Sequence, residues 1–203
     1  AQLYAQEPSS FYFTGPQPKG ADFLSSIPKN WQGTYRSEKD TTLRLYITRD
    51  SIYTEAPIAM LISMNEAQGQ GYAVLDSVIV VDNDTLPCWV HEDTAYFFIY
   101  VKKNIYKQGD DKKLFAFEDY LLLSSKTEKG DWETTLFIHQ GMAVEVGYFD
   151  HSSKEGELQK KKKIKREDSS NGLIYRASFK EKEWKGMYDN GWFPYQQRFN
   201  KTY

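Results

Sequence analysis

Between Arg49 and Val101 one short phrase recurs: Asp50-Ser51-Ile52-Tyr53, Asp76-Ser77-Val78-Ile79, Asp84-Thr85-Leu86 and Asp93-Thr94-Ala95-Tyr96. Each time an Asp and a small hydroxyl residue precede apolar, β-favouring residues. Asp, Ser and Thr side chains bond their own backbone in tight turns. Val, Ile, Tyr and Phe fit a pleated, half-buried surface. Each phrase therefore reads as the start of a strand after a tight turn, and a chain punctuated this way is a string of short antiparallel strands. The expected fold is all-β: an antiparallel barrel or strongly curved sandwich with an extended N-terminal arm.

The rest of the chain repeats the pattern. Residues 1–30 hold Pro8, Pro16, Pro18 and Pro28 and read as an extended arm. Its three adjacent aromatics, Phe11, Tyr12 and Phe13, are expected to dock on the domain or on a partner. Ala21 to Ser26 fits a short helical turn. Residues 31–203 form a single β domain. Trp31-Gln32-Gly33-Thr34-Tyr35 opens the first regular strand, and from Thr42 to Thr48 Leu43, Leu45 and Ile47 alternate with Arg44, Tyr46 and Thr48, the period of a half-buried strand. Residues 55–67 fit either a helix opened by Pro57 or a strand beside it; strand or irregular backbone is the expectation. Strands follow at Tyr72–Leu75, Val78–Val81, Leu86–Val90, Ala95–Val101, Leu114–Phe117 and Tyr120–Ser124. Polar turns around Gly130 and Gly141 join hairpins that run to Phe149. Residues 151–171 read as a charged loop or long hairpin carrying Lys160, Lys161, Lys162 and Lys163. Leu173–Phe179 alternates again. Asp189-Asn190-Gly191 reads as a tight turn between aromatic-rich flanks that include Trp192 and Phe193 and close the domain or cover a sheet edge.

Charge and chemistry narrow the function. With 26 basic and 28 acidic residues, the net charge of −2 gives no global pull toward nucleic acid. The basic run lacks interleaved aromatics and suits a solvated loop, an acidic partner or a phosphate-bearing lipid. No apolar run reaches the roughly 18 residues of a membrane-spanning helix. A lone cysteine, Cys88, rules out an internal disulfide and reads as a buried, inert thiol; His91, three positions along a strand, falls on the opposite face. The chain contains no HExxH, GxSxG, Walker-type or GxGxxG motif. His91, His139 and His151 are isolated, and Glu118 and Asp119, adjacent on a strand, cannot flank one glycosidic bond. No catalytic residue, cofactor or metal ligand is expected. The opening Ala1–Gln6 without Met fits a mature terminus left by signal cleavage, or a boundary within a longer chain. No Cys stands at residue 1 to carry a lipid anchor.

Two resemblances add to this. Ile27-Pro28-Lys29-Asn30-Trp31-Gln32-Gly33-Thr34-Tyr35 resembles the opening Gly-x-Trp strand of lipocalins and their calycin relatives, with Tyr35 where that family has Trp. The family's later Thr-Asp-Tyr motif and closing Arg are absent. The FTGPQP arm, the Gly-x-Tyr strand, ITRDSIY, the repeated Asp-Thr turns and LLLSSKTEKGDWETTLF resemble small exported β-rich proteins of Bacteroidota-type bacteria, to which no activity is attached. That likeness implies an exported protein, periplasmic or at the cell surface. The expected function is non-enzymatic: an accessory protein binding other cell-envelope or outer-membrane proteins, as a subunit of a membrane-associated complex. Its contacts would be Phe11, Tyr12, Phe13, Lys160–Lys163, Trp192 and Phe193. The alternative is a lipocalin-like carrier of a small apolar ligand, which requires a closed barrel around a cavity of several hundred Å³.

Overall fold

A computed structural model describes residues 9–154, 156–157, 164–169 and 172–202. Fifteen strands join into one sheet: β1 Ser9–Phe13, β2 Gly33–Ser37, β3 Arg44–Ile47, β4 Ser51–Ser63, β5 Ala73–Leu75, β6 Val78–Val81, β7 Asp84–His91, β8 Thr94–Lys107, β9 Lys113–Phe117, β10 Tyr120–Lys126, β11 Trp132–Gln140, β12 Ala143–Tyr148, β13 Lys165–Ser169, β14 Gly172–Ala177 and β15 Tyr195–Lys201. Two helices, α1 (Met64–Gly69) and α2 (Glu181–Asp189), and short 3-10 turns accompany the strands. The order across the sheet is β13-β14-β1-β11-β12-β15-β2-β3-β4-β8-β7-β6-β5, and β10 pairs with β11 on one edge and β9 on the other. Every pairing is antiparallel except β1 with β14. The all-β expectation holds, as a strongly curved sandwich. The barrel does not: the strand path is not closed.

The curvature is visible in the cores. Leu45 and Ile47 of β3 share one buried cluster with Leu121 and Leu123 of β10, Phe137 of β11 and Phe199 of β15. Strands five steps apart in the sheet order meet there only because the sheet curls over. Ile27 and Trp31, from the segment leading into β2, enter the same cluster, and the Leu24 N–H donates to the Leu114 carbonyl at the outer edge of β9. The opposite faces of β10 and β11, carrying Leu122, Leu136 and Ile138, bury a second cluster with β1, β14 and α2.

A third, smaller cluster lies apart. Ile62, Ile79, Cys88, Ala95 and Phe97 pack with Ala67 of α1. This distal lobe comprises β5–β7, α1 and the adjoining ends of β4 and β8. It connects to the body through β4 and β8, which pair from Ser51↔Lys107 to Ser63↔Thr94. Beyond Glu55 strand β3 ends, and β7 reaches β8 only at Thr94–Phe97. The intervening stretch is a two-stranded ribbon.

The turns between distal strands follow the Asp-centred reading. Asp76-Ser77, Asp82-Asn83 and Glu92-Asp93 are two-residue loops, and so is Glu118-Asp119 in the body. The first residue of each adopts positive φ, 48° to 54°, a conformation acidic and amide side chains tolerate better than β-branched ones. Elsewhere the structure corrects the sequence reading. Ala21–Ser26 is irregular rather than helical. Residues 55–63 are strand as expected, and that reading fails only from Met64, where a helix starts. Asp189-Asn190-Gly191 is the end of α2, a helix that the turn reading did not foresee.

Candidate functional site

The residues expected to meet partners divide sharply. Phe11 and Phe13 are buried in the second cluster, where Phe11 packs on Phe149 (4.7 Å between ring centroids) and Phe13 on Trp184 (5.3 Å). Trp192 and Phe193 are buried in the same cluster, against Phe149 and Trp184. The arm docks on its own domain: β1 pairs in parallel with β14 over five residues. Tyr12, on the outward face of β1, is half-buried. Lys160, Lys161, Lys162 and Lys163 lie outside the described residues.

Gln17 explains how the arm is held. It is fully buried, with its backbone and side-chain polar groups hydrogen-bonded. Its backbone N–H donates to Ser124 Oγ (2.8 Å), its Nε2 donates to Ser178 Oγ (3.2 Å) and to the Gly15 carbonyl (2.9 Å), and its Oε1 accepts from the Phe179 N–H (2.9 Å). Gln17 thus ties the arm to β10 through its backbone and to the segment before α2 through its side chain. A second tie joins β14 to the β10–β11 turn. Arg176 Nε and Nη2 donate to the two carboxylate oxygens of Asp131 (2.9 and 3.1 Å), and Nη1 pairs with Glu167. The guanidinium holds the Asp131 carboxyl below the usual carboxylate range.

Several cavities border this body among the described residues, and two matter to the expectations above. The larger, about 720 Å³, opens at one end of the curled sheet's interior. Leu43, Leu123, Val146 and Phe199 form its floor, and Lys103 and Lys112 stand on its wall. The smaller, about 260 Å³, is lined by Ser10, Tyr12, Glu133 and His151 among others. His91 is exposed on the distal lobe, and His139 packs on Trp31 with ring centroids 5.1 Å apart. Among the described residues no group of three His, Cys, Asp or Glu is placed to hold a metal ion. Cys88 is buried in the distal cluster, and burial pushes its thiol pKa up, away from the reactive thiolate.

The exposed apolar material lies elsewhere, on the ribbon and distal lobe. The register Leu61↔Tyr96↔Trp89 puts these three side chains on one face, away from the distal cluster, with Phe98 and Tyr100 continuing along β8 and Leu75 beyond β7. Leu61 is 70% exposed, Tyr100 66%, Leu75 58% and Trp89 54%. Trp89 stacks on Tyr96 (4.9 Å between centroids, 12° between planes), so the aromatic surface is ordered. On the other face of the ribbon Ile58, Met60 and Val101 are exposed as well. Isolated exposed hydrophobes are ordinary; a contiguous set of this size on one element is not.

A signal that sequence reasoning missed frames this surface. From Asp50 to Val101 the chain carries eight carboxylates (Asp50, Glu55, Glu66, Asp76, Asp82, Asp84, Glu92 and Asp93) and no lysine or arginine; all 26 basic residues lie outside. The near-neutral total conceals an acidic lobe. A windowed charge count would have found it. The apolar face was hidden because a two-stranded ribbon and a buried strand read alike in sequence.

Comparison with known proteins returned no match: no family model, no curated protein and no solved structure.

Proposed function

We propose that the protein is a non-enzymatic, exported accessory protein that binds other proteins of the cell envelope as a subunit of a membrane-associated complex, and that it does so through the ribbon and distal lobe. The observation that carries this reading is the solvent-exposed face of Leu61, Leu75, Trp89, Phe98 and Tyr100. Trp and Tyr supply large, stiff contact area and dominate the energetics of protein interfaces. A lone monomer gains nothing by leaving them in water. The buried positions of Phe11, Phe13, Trp192 and Phe193 shift the contact surface away from the arm and the aromatic C-terminal segment. Export rests on the likeness to exported bacterial chains.

The test is affinity capture from native envelope extract, read by size-exclusion and mass spectrometry. The wild-type chain should retain a stoichiometric envelope protein. A Leu61→Ser/Trp89→Ser/Tyr100→Ser variant should lose it while its stability changes by only about 0.5 kcal/mol per site, because these positions are exposed. Capture that survives the triple variant would remove the distal surface from the reading, and a wild-type chain that emerges alone would remove the reading itself.

The cleft of about 720 Å³ favours a second reading, a carrier of a small apolar ligand. Its volume is that of a small-molecule site and its floor is apolar. The sheet is not closed, so this reading stands on the cleft rather than on lipocalin likeness. Native mass spectrometry of freshly purified protein should then show a co-purified lipid or pigment, lost on Val146→Trp.

A further inference from the structure

We infer that the outer edge of β4, from Ala56 to Ile62, accepts an extended segment of a partner protein as an added strand, and that this segment alternates apolar residues with lysine or arginine. The inference rests on the protein-binding reading above and specifies the partner's chemistry. After Glu55 pairs with Arg44, β4 has β8 on one side and no strand on the other among the described residues. In an antiparallel ladder alternate residues turn their backbone N–H and C=O away from the partner strand. The free side of Ala56–Ile62 therefore presents unpaired backbone groups, apart from the missing N–H of Pro57. Proteins usually guard such an edge with charge. The free side of β8 beside it is short, Phe98 to Val101, before Lys102, Lys103 and the bond from Lys112 Nζ to the Ile105 carbonyl guard the strand. The free edge of β4 is longer. Ala56-Pro57-Ile58-Ala59-Met60-Leu61-Ile62 contains no charged residue.

Strand addition gives affinity through the backbone and selectivity through alternate side chains. An incoming strand would widen both apolar faces of the ribbon, meeting Ile58 and Met60 on one side and Ala59 and Leu61 on the other. Its charge follows from the lobe around it. Glu66 and Asp93 stand at the distal end of the edge, in a stretch from Asp50 to Val101 without lysine or arginine; Glu55, at the other end, faces Arg44 and Lys102 across the ladder. An acidic or neutral strand would be repelled or unassisted; a basic one is drawn in.

The probe is a synthetic peptide of about twelve residues alternating Val with Lys, compared with a Val/Glu counterpart, since an added strand of ordinary length is about this size or shorter. Binding is read by fluorescence anisotropy at low and high salt, and by hydrogen exchange of the full chain. The inference expects the Val/Lys peptide to bind at least about tenfold tighter than the Val/Glu peptide, weakening with salt, with new protection at the Ile58–Ile62 amides. A Met60→Lys variant, exposed and compatible with the fold, should lose about tenfold in affinity. Equal binding of both peptides would overturn the charge assignment. Binding without protection of Ile58–Ile62 would overturn strand addition and leave the aromatic face standing as the contact. Edge protection that appears with rising protein concentration and no peptide would assign the edge to a second copy instead. No binding of either peptide, with envelope capture still abolished by the triple variant above, would overturn this inference alone; capture unaffected by that variant would remove the distal surface on which both stand.

Discussion

Arg176 and Asp131 show what a single pair does in this fold. Their bidentate contact spans 45 residues of sequence and fixes β14, and through it β1, to the β10–β11 turn. The Asp131 carboxyl is depressed chiefly by its hydrogen bonds from Arg176. A carboxyl with a lowered folded pKa adds stability above its unfolded value, and that stability is lost as pH falls through the folded value. Asp131→Asn should therefore lower stability at neutral pH by about 1.5–3 kcal/mol, the range for hydrogen bonds to charged groups. In urea titrations the gap between wild type and variant should close as pH drops below the usual carboxylate range of about 4. A gap that persists at low pH would mean that Asp131 acts by packing instead. Tyr35 works differently. It is fully buried and its hydroxyl donates to the Trp31 carbonyl at 2.7 Å, and burial raises its pKa. A phenol with a raised folded pKa holds its contribution until the pH climbs past about 10, so its contact is silent across the physiological range.

Among the elements, the β4–β8 ribbon is the unusual one. A two-stranded ribbon is marginally stable by itself, and here it joins two cores that each hold one end. Local opening should concentrate in it. Amides of Ala56–Leu61 should exchange with solvent faster than those of Leu121–Leu123, which lie in β10 between β9 and β11; hydrogen exchange by mass spectrometry resolves the two segments. Uniform protection would show that the ribbon is already covered. The elements also differ in how plainly the sequence announces them. Leu43, Leu45 and Ile47 alternate as expected and face the first core. The helices were missed although their signals were present. Ser63 and Glu66 form a capping box at the start of α1, the Ser-x-x-Glu spacing that opens a helix. Trp184 and Met187 stand three apart on α2, a spacing that places both on one buried face. In each case a turn signal at the end of the helix, Gly69 and Gly71 for α1 and Asp189-Asn190-Gly191 for α2, outweighed a helix of fewer than three turns. The parallel β1–β14 pair had no local signal at all, because nothing near Phe11 in sequence specifies a partner more than 160 residues away.

At the level of the whole molecule, composition was a poor guide to the contact surface. The balance of 26 basic against 28 acidic residues gives no global pull toward nucleic acid, yet the spread is uneven: eight carboxylates and no lysine or arginine lie between Asp50 and Val101, while the other 20 carboxylates share the rest of the chain with all 26 basic residues. The aromatic fraction was likewise silent on which rings are core and which are surface: Trp184 and Trp192 are buried, Trp89 is not. Burial depends on which strands the sheet brings over each face, and that is settled by long-range pairing. Segregation of charge has a consequence of its own. A chain of net charge −2 with an acidic distal lobe and a basic body is an electric dipole. Near pH 7 it should be held by an anion exchanger more firmly than its net charge warrants, and Asp76→Asn/Asp82→Asn/Glu92→Gln should elute earlier than removal of three body carboxylates does. In solution the same asymmetry sets the angle of approach. Facing a positively charged protein surface, the molecule turns before it touches, and the lobe that carries the exposed tryptophan arrives first.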